Sequence, residues 1–395
     1  MASLPFISSF SFLIVFTALA SAAATTIKVS LSPLPHHSSS NVYQILNNLA
    51  TSSVARAHHL KHHNPKAEAK TNTSSSLLKA PISPHSYGGY TMSLKFGTPP
   101  QDLTFIMDTG SSLSWFPCTS RYLCSRNPKC SWLFGSNVES RCRECEPTSK
   151  NCTQTCPPYL IQYGLGSTGG LLLVENLVFP HKIFTDFLVG CSVISNRQPA
   201  GIAGFGRSAV SLPSQLGLKK FSYCLVSRRF DDTGISSDML LETGSGSRVA
   251  KTPGLSYTPF YKNQAASNPA LKEFYYVTLR KILVGDKTVK VPYSFLVAGS
   301  DGNGGTIIDS GSTLTFMERP VFELVSKELE KQMGNYSRAL QVEKMSGLAH
   351  VSIFQATTQG LHGGPAIILG NFQQQNYHIE FDLENDRWLP AEFSS

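Results

Sequence analysis

The chain has 395 residues, which is long enough for two domains or one two-lobed body, and 41% of them are hydrophobic, which is sufficient for a sizeable core. Only 15% are charged, while 30 glycines and 23 prolines are typical of many short strands and turns rather than of long helices. The net charge of +8 does not indicate a nucleic-acid-binding protein, because residues 1–80 carry six Lys and Arg against one Glu and so supply +5 of it.

The first 24 residues are typical of a secretory signal peptide. An apolar centre runs from Phe10 to Leu19, and two small-x-small cleavage sequences lie between Ala18 and Ala22. A membrane anchor is the alternative, but the run is short for a span, and no other stretch approaches about 20 apolar residues. We expect residues 1–24 to direct the chain into the secretory pathway, to the extracellular space or the vacuole, with no stable membrane insertion after their removal. Three Asn-x-Ser/Thr triplets would then be glycosylation sites, beginning at Asn72, Asn151 and Asn335.

Residues 25–80 are polar, basic and rich in His and Ser, unlike the rest of the chain. One interpretation is a removable prosegment whose positive charge pairs with carboxylates of the mature body near neutral pH. The other is a disordered linker. We expect the prosegment.

The cysteines indicate an oxidising compartment. Seven of the nine fall within residues 118–156, while Cys191 and Cys224 stand apart. Cys142-x-x-Cys145 could be half of a zinc site, but after a signal peptide disulfides are favoured. An odd total leaves at least one thiol unpaired within the chain.

From Tyr90 onward the pattern is mostly that of strands. Predicted strands are "YTMSLKFG", "LTFIM", "LLLVENLVF", "FTDFLVGCSV", "FYYVTLRKILVG" and "KTVKVP". One helix is predicted over 319–333, with Pro320 in its first turn and an apolar face of Val321, Leu324, Val325 and Leu329, and a short one over 211–217. The fold class is therefore all-β with few short helices.

An internal repeat divides this body into two lobes. "TFIMDTGSSLSWF" (104–116) and "TIIDSGSTLTFM" (306–317) share an apolar run, an Asp, a small hydroxyl residue and a Gly. Each copy is followed later by an apolar-Gly element, "GIAGFG" and "AIILGNF". One Asp-Thr-Gly is weak evidence, since turns favour these residues, but two matched copies are strong evidence. We place the N-terminal lobe at 81–255 and the C-terminal lobe at 256–395.

The repeat predicts that Asp108 faces Asp309 across a pseudo-twofold interface. Two neighbouring carboxylates hold one proton between them; the ionised one can activate a water, and the protonated one can stabilise an oxyanion. The surrounding loop residues would support the pair: Gly110 and Gly311 would permit tight turns that aim N–H groups at the carboxylates, and Thr109 and Ser310 would tie the two loops together from below.

Several segments resemble pepsin-like aspartic proteases, and more closely the plant nepenthesin-like branch of that family with its cysteine-rich insert. They are "FGTPPQ", "DTGSSLSW", "FSYCL", "TIIDSGSTLTF" and "ILGNFQQQNYHIEFDLENDR". The resemblance runs from about Ser86 to Arg387. It implies a bilobal fold with an active-site cleft between the lobes, and Asp108 and Asp309 as the catalytic pair.

The resemblance also implies roles for side chains around the pair. Ser111 and Ser312 match the hydroxyls beside each carboxylate. "YLIQYGLGSTGG" resembles the flap hairpin, so Tyr163 would close over substrate with Gly164 beside it, and Trp115 would support Tyr163. An ordinary hairpin aromatic is the alternative interpretation of Tyr163.

The second half departs from the family pattern in two places. Gly204 follows Asp108 by 96 residues, whereas Gly370 follows Asp309 by only 61, which places a break near residues 342–370. "RWLPAEFSS" also stands where the family has a last core strand ending near a cysteine. We therefore expect an internally shortened, incomplete second lobe, whose missing cysteines would explain the odd count.

Three functions are compatible with these residues: an acid endopeptidase that cuts extended peptides at apolar side chains, a non-catalytic binding or inhibitor protein on the same fold, and a catalytically impaired shortened isoform. We expect the endopeptidase, acting as a monomer on polypeptide substrates, because Asp108, Asp309 and Tyr163 are all present. "GLGSTGG" does not match a nucleotide-binding phosphate loop, since it lacks the following lysine. No metal, organic cofactor or nucleic-acid partner is indicated.

Overall fold

The computed structural model describes residues 25–33, 89–117, 123–125, 157–163, 166–180, 182–196, 198, 200–226, 237–243, 257–262, 269–332, 353–355 and 364–392. Several predicted features lie outside the described residues: the signal peptide, most of the basic leader, most of the cysteine-rich segment, the three Asn-x-Ser/Thr triplets and Gly164.

Strands dominate the described part of the chain. They are β1 (Thr25–Pro33), β2 (Tyr90–Phe96), β3 (Gln101–Asp108), β4 (Trp115–Pro117), β5 (Leu123–Ser125), β6 (Pro158–Tyr163), β7 (Gly166–Phe179), β8 (Lys182–Asn196), β9 (Gly201–Gly204), β10 (Leu218–Cys224), β11 (Ser237–Thr243), β12 (Thr258–Tyr261), β13 (Tyr276–Val277), β14 (Ile282–Val284), β15 (Lys287–Val289), β16 (Thr306–Ile308), β17 (Thr315–Met317), β18 (Ile353–Gln355), β19 (Ile367–Leu369), β20 (Tyr377–Asp382) and β21 (Arg387–Glu392).

Helices are few, as predicted. They are α1 (Leu212–Gln215), α2 (Tyr293–Leu296) and α3 (Arg319–Gln332), with 3₁₀ turns at Pro269–Glu273 and Asn371–Gln374. The prediction of an all-β fold with few short helices is confirmed. Within the described residues, no helix combines the length and the apolar character needed to cross a membrane.

A central antiparallel sheet joins the two lobes. Its strand order is β2–β1–β11–β10–β20–β21–β12. Buried aromatic rings cover it: Phe221 stacks on Phe381 with centroids 4.4 Å apart, and Tyr275 meets Phe381 edge-on at 4.8 Å. Burial of each aromatic side chain contributes roughly 1.5–3 kcal/mol to the stability of the fold, so this sheet forms a well-packed layer between the lobes.

The internal repeat appears as a repeated pattern of strand pairing. In the first lobe β3 pairs in parallel with β9, β9 pairs antiparallel with β4, and β4 pairs in parallel with β8. In the second lobe β16, β19, β17 and β18 repeat the same three pairings in the same order. Asp108 lies opposite Gly204, and Ile308, just before the second aspartate, lies opposite Leu369.

The interval between β17 and β18 is shorter than the equivalent interval of the first lobe, and the expected break near residues 342–370 stays a prediction. Trp115 in β4 pairs with Gly190, 75 positions later, whereas Thr315 in β17 pairs with Ile353, 38 positions later. The first-lobe interval holds β5, β6 and β7, while the described part of the second-lobe interval holds α3. β8 pairs with β7 on its other side, whereas β18 has only β17 as a neighbour among the strands described.

The start of the basic leader is part of the sheet. β1 pairs with β11 from Thr25 to Leu31 and with β2 from Leu31 to Pro33. The disordered-linker interpretation is therefore wrong for residues 25–33. The prosegment interpretation of 25–80 stays a prediction.

Two local predictions differ from the structure. The segment 274–285 is interrupted rather than one strand: β13 ends at Val277, and β14 then forms a separate hairpin with β15 around Gly285, whose φ of 54° suits the turn. In α3, Val321 and Val325 are buried, but Leu324 is 37% exposed because it lies beyond the edge of the apolar stripe.

Two cysteines outside the cysteine-rich segment differ in state. Cys191 in β8 is disulfide-bonded, and Cys224 at the end of β10 is free. The odd cysteine count predicted at least one unpaired thiol, and Cys224 is one. Burial raises the pKa of the Cys224 thiol, which lowers its thiolate fraction near neutral pH.

Candidate active site

Both aspartates of the repeat lie at the end of a short central strand, and both are buried. Asp108 ends β3 and Asp309 directly follows β16; they are 1% and 0% exposed. The Phe205 N–H donates to the Asp108 carbonyl at 2.8 Å, and the Asp309 N–H donates to the Leu369 carbonyl at 3.0 Å. The parallel neighbours β9 and β19 therefore place the two aspartates at equivalent positions.

Each carboxylate accepts the same two hydrogen bonds from its own loop. Oδ1 accepts from a glycine N–H at 2.9 Å, and Oδ2 accepts from a serine hydroxyl at 2.6 Å. The donors are Gly110 and Ser111 for Asp108, and Gly311 and Ser312 for Asp309. A buried carboxylate is tolerable when it accepts such bonds, so these donors explain how both aspartates remain in the interior.

The hydroxyls of Thr109 and Ser310 cross-link the two loops. The Thr109 N–H donates to Ser310 Oγ at 3.1 Å, and the Ser310 N–H donates to Thr109 Oγ1 at 2.9 Å. Each hydroxyl also donates to a carbonyl of the opposite strand, Thr109 to Ile308 and Ser310 to Met107, both at 3.1 Å. Four reciprocal bonds thus fix one aspartate loop against the other.

Gly311 lies where the two carboxylates converge. A β-carbon placed on it would contact Oδ1 of Asp108, and it would lie 2.7 Å from Cγ of Asp108 and 3.1 Å from Oδ1 of Asp309. The sequence motif thus places a glycine where a side chain would push the carboxylates apart.

The predicted flap is a hairpin of β6 and β7, and its tyrosine meets the predicted tryptophan. The Trp115 Nε1–H donates to the Tyr163 hydroxyl at 2.6 Å, and the two ring centroids are 6.4 Å apart. Tyr163 is 5% exposed and packs in one cluster with Trp115, Ile106 and Ile202. This contact anchors the end of β6 to the strand that follows the Asp108 loop.

Two side-chain pairs near the aspartates escaped the sequence analysis. The Tyr223 hydroxyl donates to Gln374 Oε1 at 2.6 Å. Burial raises the pKa of Tyr223, and nearby Asp309 and Tyr275 raise it further, so the hydroxyl stays a donor. Only the glutamine run in "ILGNFQQQNY" hinted at this contact.

The second missed pair joins the lobes. The Ser112 hydroxyl, beside the Asp108 loop, donates to Glu273 Oε2 at 2.7 Å across the lobe boundary. Burial raises the pKa of Glu273, and the hydrogen bond from Ser112 opposes that rise. No local pattern in the sequence pointed to it.

Among the described residues, no cluster of three or more His, Cys, Asp or Glu side chains could hold an ion.

Two protein-family models match the chain. The one described as Xylanase inhibitor N-terminal matches residues 90–237, and the one described as Xylanase inhibitor C-terminal matches residues 274–351, together more than half of the chain.

Similar proteins include several named aspartic proteases. A probable aspartyl protease of Arabidopsis thaliana is 27% identical over 78% of this chain and 82% of that protein. Aspartic proteinase nepenthesin-2 of Nepenthes gracilis is 29% identical over 79% of each chain. Aspartic proteinase nepenthesin-1 of the same organism is 34% identical over 62% of this chain and 56% of that protein.

Solved structures share the fold. The crystal structure of edgp has a TM-score of 0.55 at 18% identity and covers 78% of this chain and 92% of its own. Basic 7S globulin from soybean has a TM-score of 0.51 at 19% identity and covers 78% and 93%. The family models and the relatives together show that this chain belongs to the plant pepsin-like aspartic protease family.

Proposed function

We propose that this chain is an aspartic-type endopeptidase that hydrolyses peptide bonds in acid, with Asp108 and Asp309 as its catalytic pair. The observation that carries the proposal is the matched support of the two carboxylates. Each accepts one glycine N–H and one serine hydroxyl, and the loops are cross-linked through Thr109 and Ser310. Relatives named aspartic proteinases support the same reaction class.

The reaction needs one proton shared by the pair, because ionising two adjacent buried carboxylates is unfavourable. The ionised carboxylate accepts a proton from water, whose oxygen attacks the peptide carbonyl carbon, while the protonated carboxylate gives its proton to the carbonyl oxygen. When the tetrahedral intermediate collapses, the C–N bond breaks, the leaving nitrogen takes a proton from the pair, and a hydroxyl of the intermediate returns one. A pair of this kind works best in acid, with a bell-shaped pH profile.

The hairpin of β6 and β7 would bind the substrate. Tyr163, held by Trp115, and the next residue in sequence, Gly164, would close over an extended polypeptide, and cleavage would fall beside apolar side chains.

The N-terminal 80 residues would serve secretion and would keep the enzyme inactive until acid releases the prosegment. Residues 1–24 would direct secretion to the apoplast or the vacuole, and residues 25–80 would act as a basic prosegment that acid releases. The enzyme would act as a monomer on polypeptides.

A second candidate is a non-catalytic binding protein on the same fold. The observation that favours it is that both matching family models are those of a xylanase inhibitor, one of its N-terminal part and one of its C-terminal part. A binding protein of this kind would form a stable complex with a folded glycoside hydrolase and would not cut denatured protein at any pH.

One assay separates the candidates. The purified, acid-treated chain is incubated with a denatured protein between acid and neutral pH, with and without a statine-type inhibitor. The endopeptidase produces fragments in acid, and the inhibitor stops it. A rate maximum above neutral pH, or loss of activity on adding a metal chelator, would show a different mechanism.

A further inference from the structure

The glutamine run Gln373–Gln375 directly follows the second apolar-Gly element, and all three side chains make hydrogen bonds. Gln374 is the innermost, at 3% exposure. Its Nε2 donates to the Leu369 carbonyl at 3.1 Å. The same carbonyl accepts the backbone N–H of Asp309 at 3.0 Å. Gln374 and Asp309 are therefore joined through one oxygen atom.

The other end of the Gln374 amide is held by the central sheet. The hydroxyl of Tyr223, a residue of β10 that is 1% exposed, donates to Gln374 Oε1 at 2.6 Å. A hydroxyl donor at Oε1 leaves the NH₂ group directed at Leu369, so Tyr223 selects the orientation of the amide. A continuous chain of hydrogen bonds thus runs from the central sheet to the backbone of Asp309.

The flanking glutamines fix the same segment at two other points. Gln375 Nε2 donates to the Tyr90 hydroxyl at 2.9 Å, which in turn donates to the Val226 carbonyl at 2.6 Å. Gln373 Oε1 accepts from the Thr315 hydroxyl. Gln375 therefore ties the segment to the first lobe, and Gln373 ties it to the strand after the Asp309 loop.

The first lobe supports Asp108 differently. There the Phe205 N–H donates directly to the Asp108 carbonyl, and the neighbouring Gly206 N–H donates to the Ser111 carbonyl, both at 2.8 Å. These are backbone bonds, whereas the second lobe adds a buried side-chain amide.

We propose that Gln374 is a positioning residue for Asp309, with Tyr223 orienting its amide, so that the central sheet sets the position of the second catalytic carboxylate. The inference rests on the proposed endopeptidase function. A substitution that removes the Gln374 amide takes one hydrogen-bond partner from the Tyr223 hydroxyl and one from the Leu369 carbonyl. Asp309 should then lose its fixed position while the fold is kept.

Two substitutions at Gln374 separate positioning from mere packing. Gln374→Leu keeps the approximate volume and removes both hydrogen bonds, so kcat should fall by about 10-fold to 100-fold with KM changed by less than about 2-fold. Gln374→Glu should remain near the parent in acid, because a protonated carboxyl can accept from Tyr223 and donate to Leu369. Burial at this position favours the neutral carboxyl, so the variant should keep a pH profile close to the parent's. Tyr223→Phe should show a smaller loss of kcat in the same direction.

The matched control is Gln332→Leu. This glutamine of α3 also donates to a backbone carbonyl of the second lobe, that of Val284 at 2.8 Å, but its hydrogen-bond partners, Val284 and Glu328, do not belong to the aspartate loops. Activities are expressed per site titrated with a statine-type inhibitor, so a loss of folded protein does not count as a loss of kcat. The control should keep the parent kcat and pH profile.

A second readout does not depend on activity. Amide hydrogen exchange in residues 306–313 should be at least about 10-fold faster in Gln374→Leu than in the parent, while residues 105–112 of the first lobe should be unchanged. Parent-like kcat and pH profiles in both Gln374 variants, or unchanged exchange in residues 306–313, would overturn the inference. If the parent hydrolyses nothing, the proposed function fails, and the exchange rates alone decide whether Gln374 holds the Asp309 loop.

Discussion

Gly311→Ala tests the geometry of the aspartate pair with a single methyl group. The added carbon would contact Oδ1 of Asp108 and lie 2.7 Å from its Cγ and 3.1 Å from Oδ1 of Asp309. Non-bonded carbons are normally about 3.5–4.0 Å apart, so the Asp108 carboxylate must move by roughly 1 Å. A misplacement of that size costs about 100-fold in rate. We therefore expect kcat/KM to fall by about 100-fold, which is roughly 2.7 kcal/mol of transition-state stabilisation.

The fold should survive this change. Gly311 does not adopt a positive φ, so alanine adds no backbone strain there. Gly217→Ala is the control, because its methyl would meet nothing within 4 Å while its φ of 62° costs stability and not catalytic geometry. The assay compares kcat/KM on a denatured protein in acid, with thermal unfolding as the test of folding. A folded Gly311→Ala variant that keeps more than about half of the parent kcat/KM would refute the convergence of the two carboxylates at this glycine.

Three further predictions concern stability. Burial raises the pKa of Glu273, so the folded state favours the neutral carboxyl. The neutral carboxyl contributes its full stabilisation below the pKa of the unfolded state. This stabilisation is lost as pH rises through the pKa of the folded state. Glu273→Gln should therefore match the parent in acid and exceed its melting temperature toward neutral pH; a constant difference at all pH values would contradict this. Lys220→Met breaks an ion pair with Glu380 at 3.3 Å whose side chains are only 8% and 11% exposed, and should cost about 3–5 kcal/mol in denaturant unfolding. The control Lys95→Met breaks an ion pair with Asp102 whose side chains are 49% and 63% exposed, and should cost less than about 1 kcal/mol of unfolding free energy. Equal losses of unfolding free energy in the two variants would contradict the prediction. Restoring a family-length segment between β17 and β18 should raise secretion yield and melting temperature by supplying a further strand beside β18, which pairs only with β17 among the described strands; equal values would show that the shorter interval is harmless.

The aspartate pair could be predicted because its signal is local and occurs twice. Asp108 and Asp309 each follow an apolar strand and precede a hydroxyl residue and a glycine. The central bonds of the site follow from that short motif: the glycine and serine donors lie two and three residues after each aspartate.

The contacts that join distant segments could not be predicted in the same way. Tyr223 and Gln374 are 151 residues apart, and Ser112 and Glu273 are 161 apart. Each pair meets only because the central sheet and the lobe boundary bring their elements together. The glutamine run around Gln374 does not identify Tyr223 as its partner, and nothing beside Ser112 or Glu273 marks the second pair, so only the tertiary structure reveals the partners.

β1 was missed for a different reason. Ile27, Val29 and Leu31 alternate with polar residues, which is a strand signal. The basic, His-rich and Ser-rich composition of the whole leader outweighed those few positions. A composition averaged over residues 25–80 conceals a nine-residue strand at its start.

The shortened second lobe keeps the immediate surroundings of Asp309. The bonds that fix its loop come from β16, β19, the start of β17 and the turn Asn371–Gln374. All of these lie outside the interval between β17 and β18 where residues are missing relative to the first lobe. The expected damage to the second lobe is therefore at the edge of its sheet rather than at the catalytic loop.

The most direct test of the account is the hydrolysis of a denatured protein in acid by the parent chain, Asp108→Asn and Asp309→Asn, measured side by side. Each variant is nearly isosteric with the parent and should fold, as thermal unfolding would verify. The account predicts inhibitor-sensitive hydrolysis by the parent and none by either variant, because each carboxylate is required to hold or accept the shared proton. Substantial hydrolysis by either folded variant would contradict the assignment of Asp108 and Asp309 as the catalytic pair.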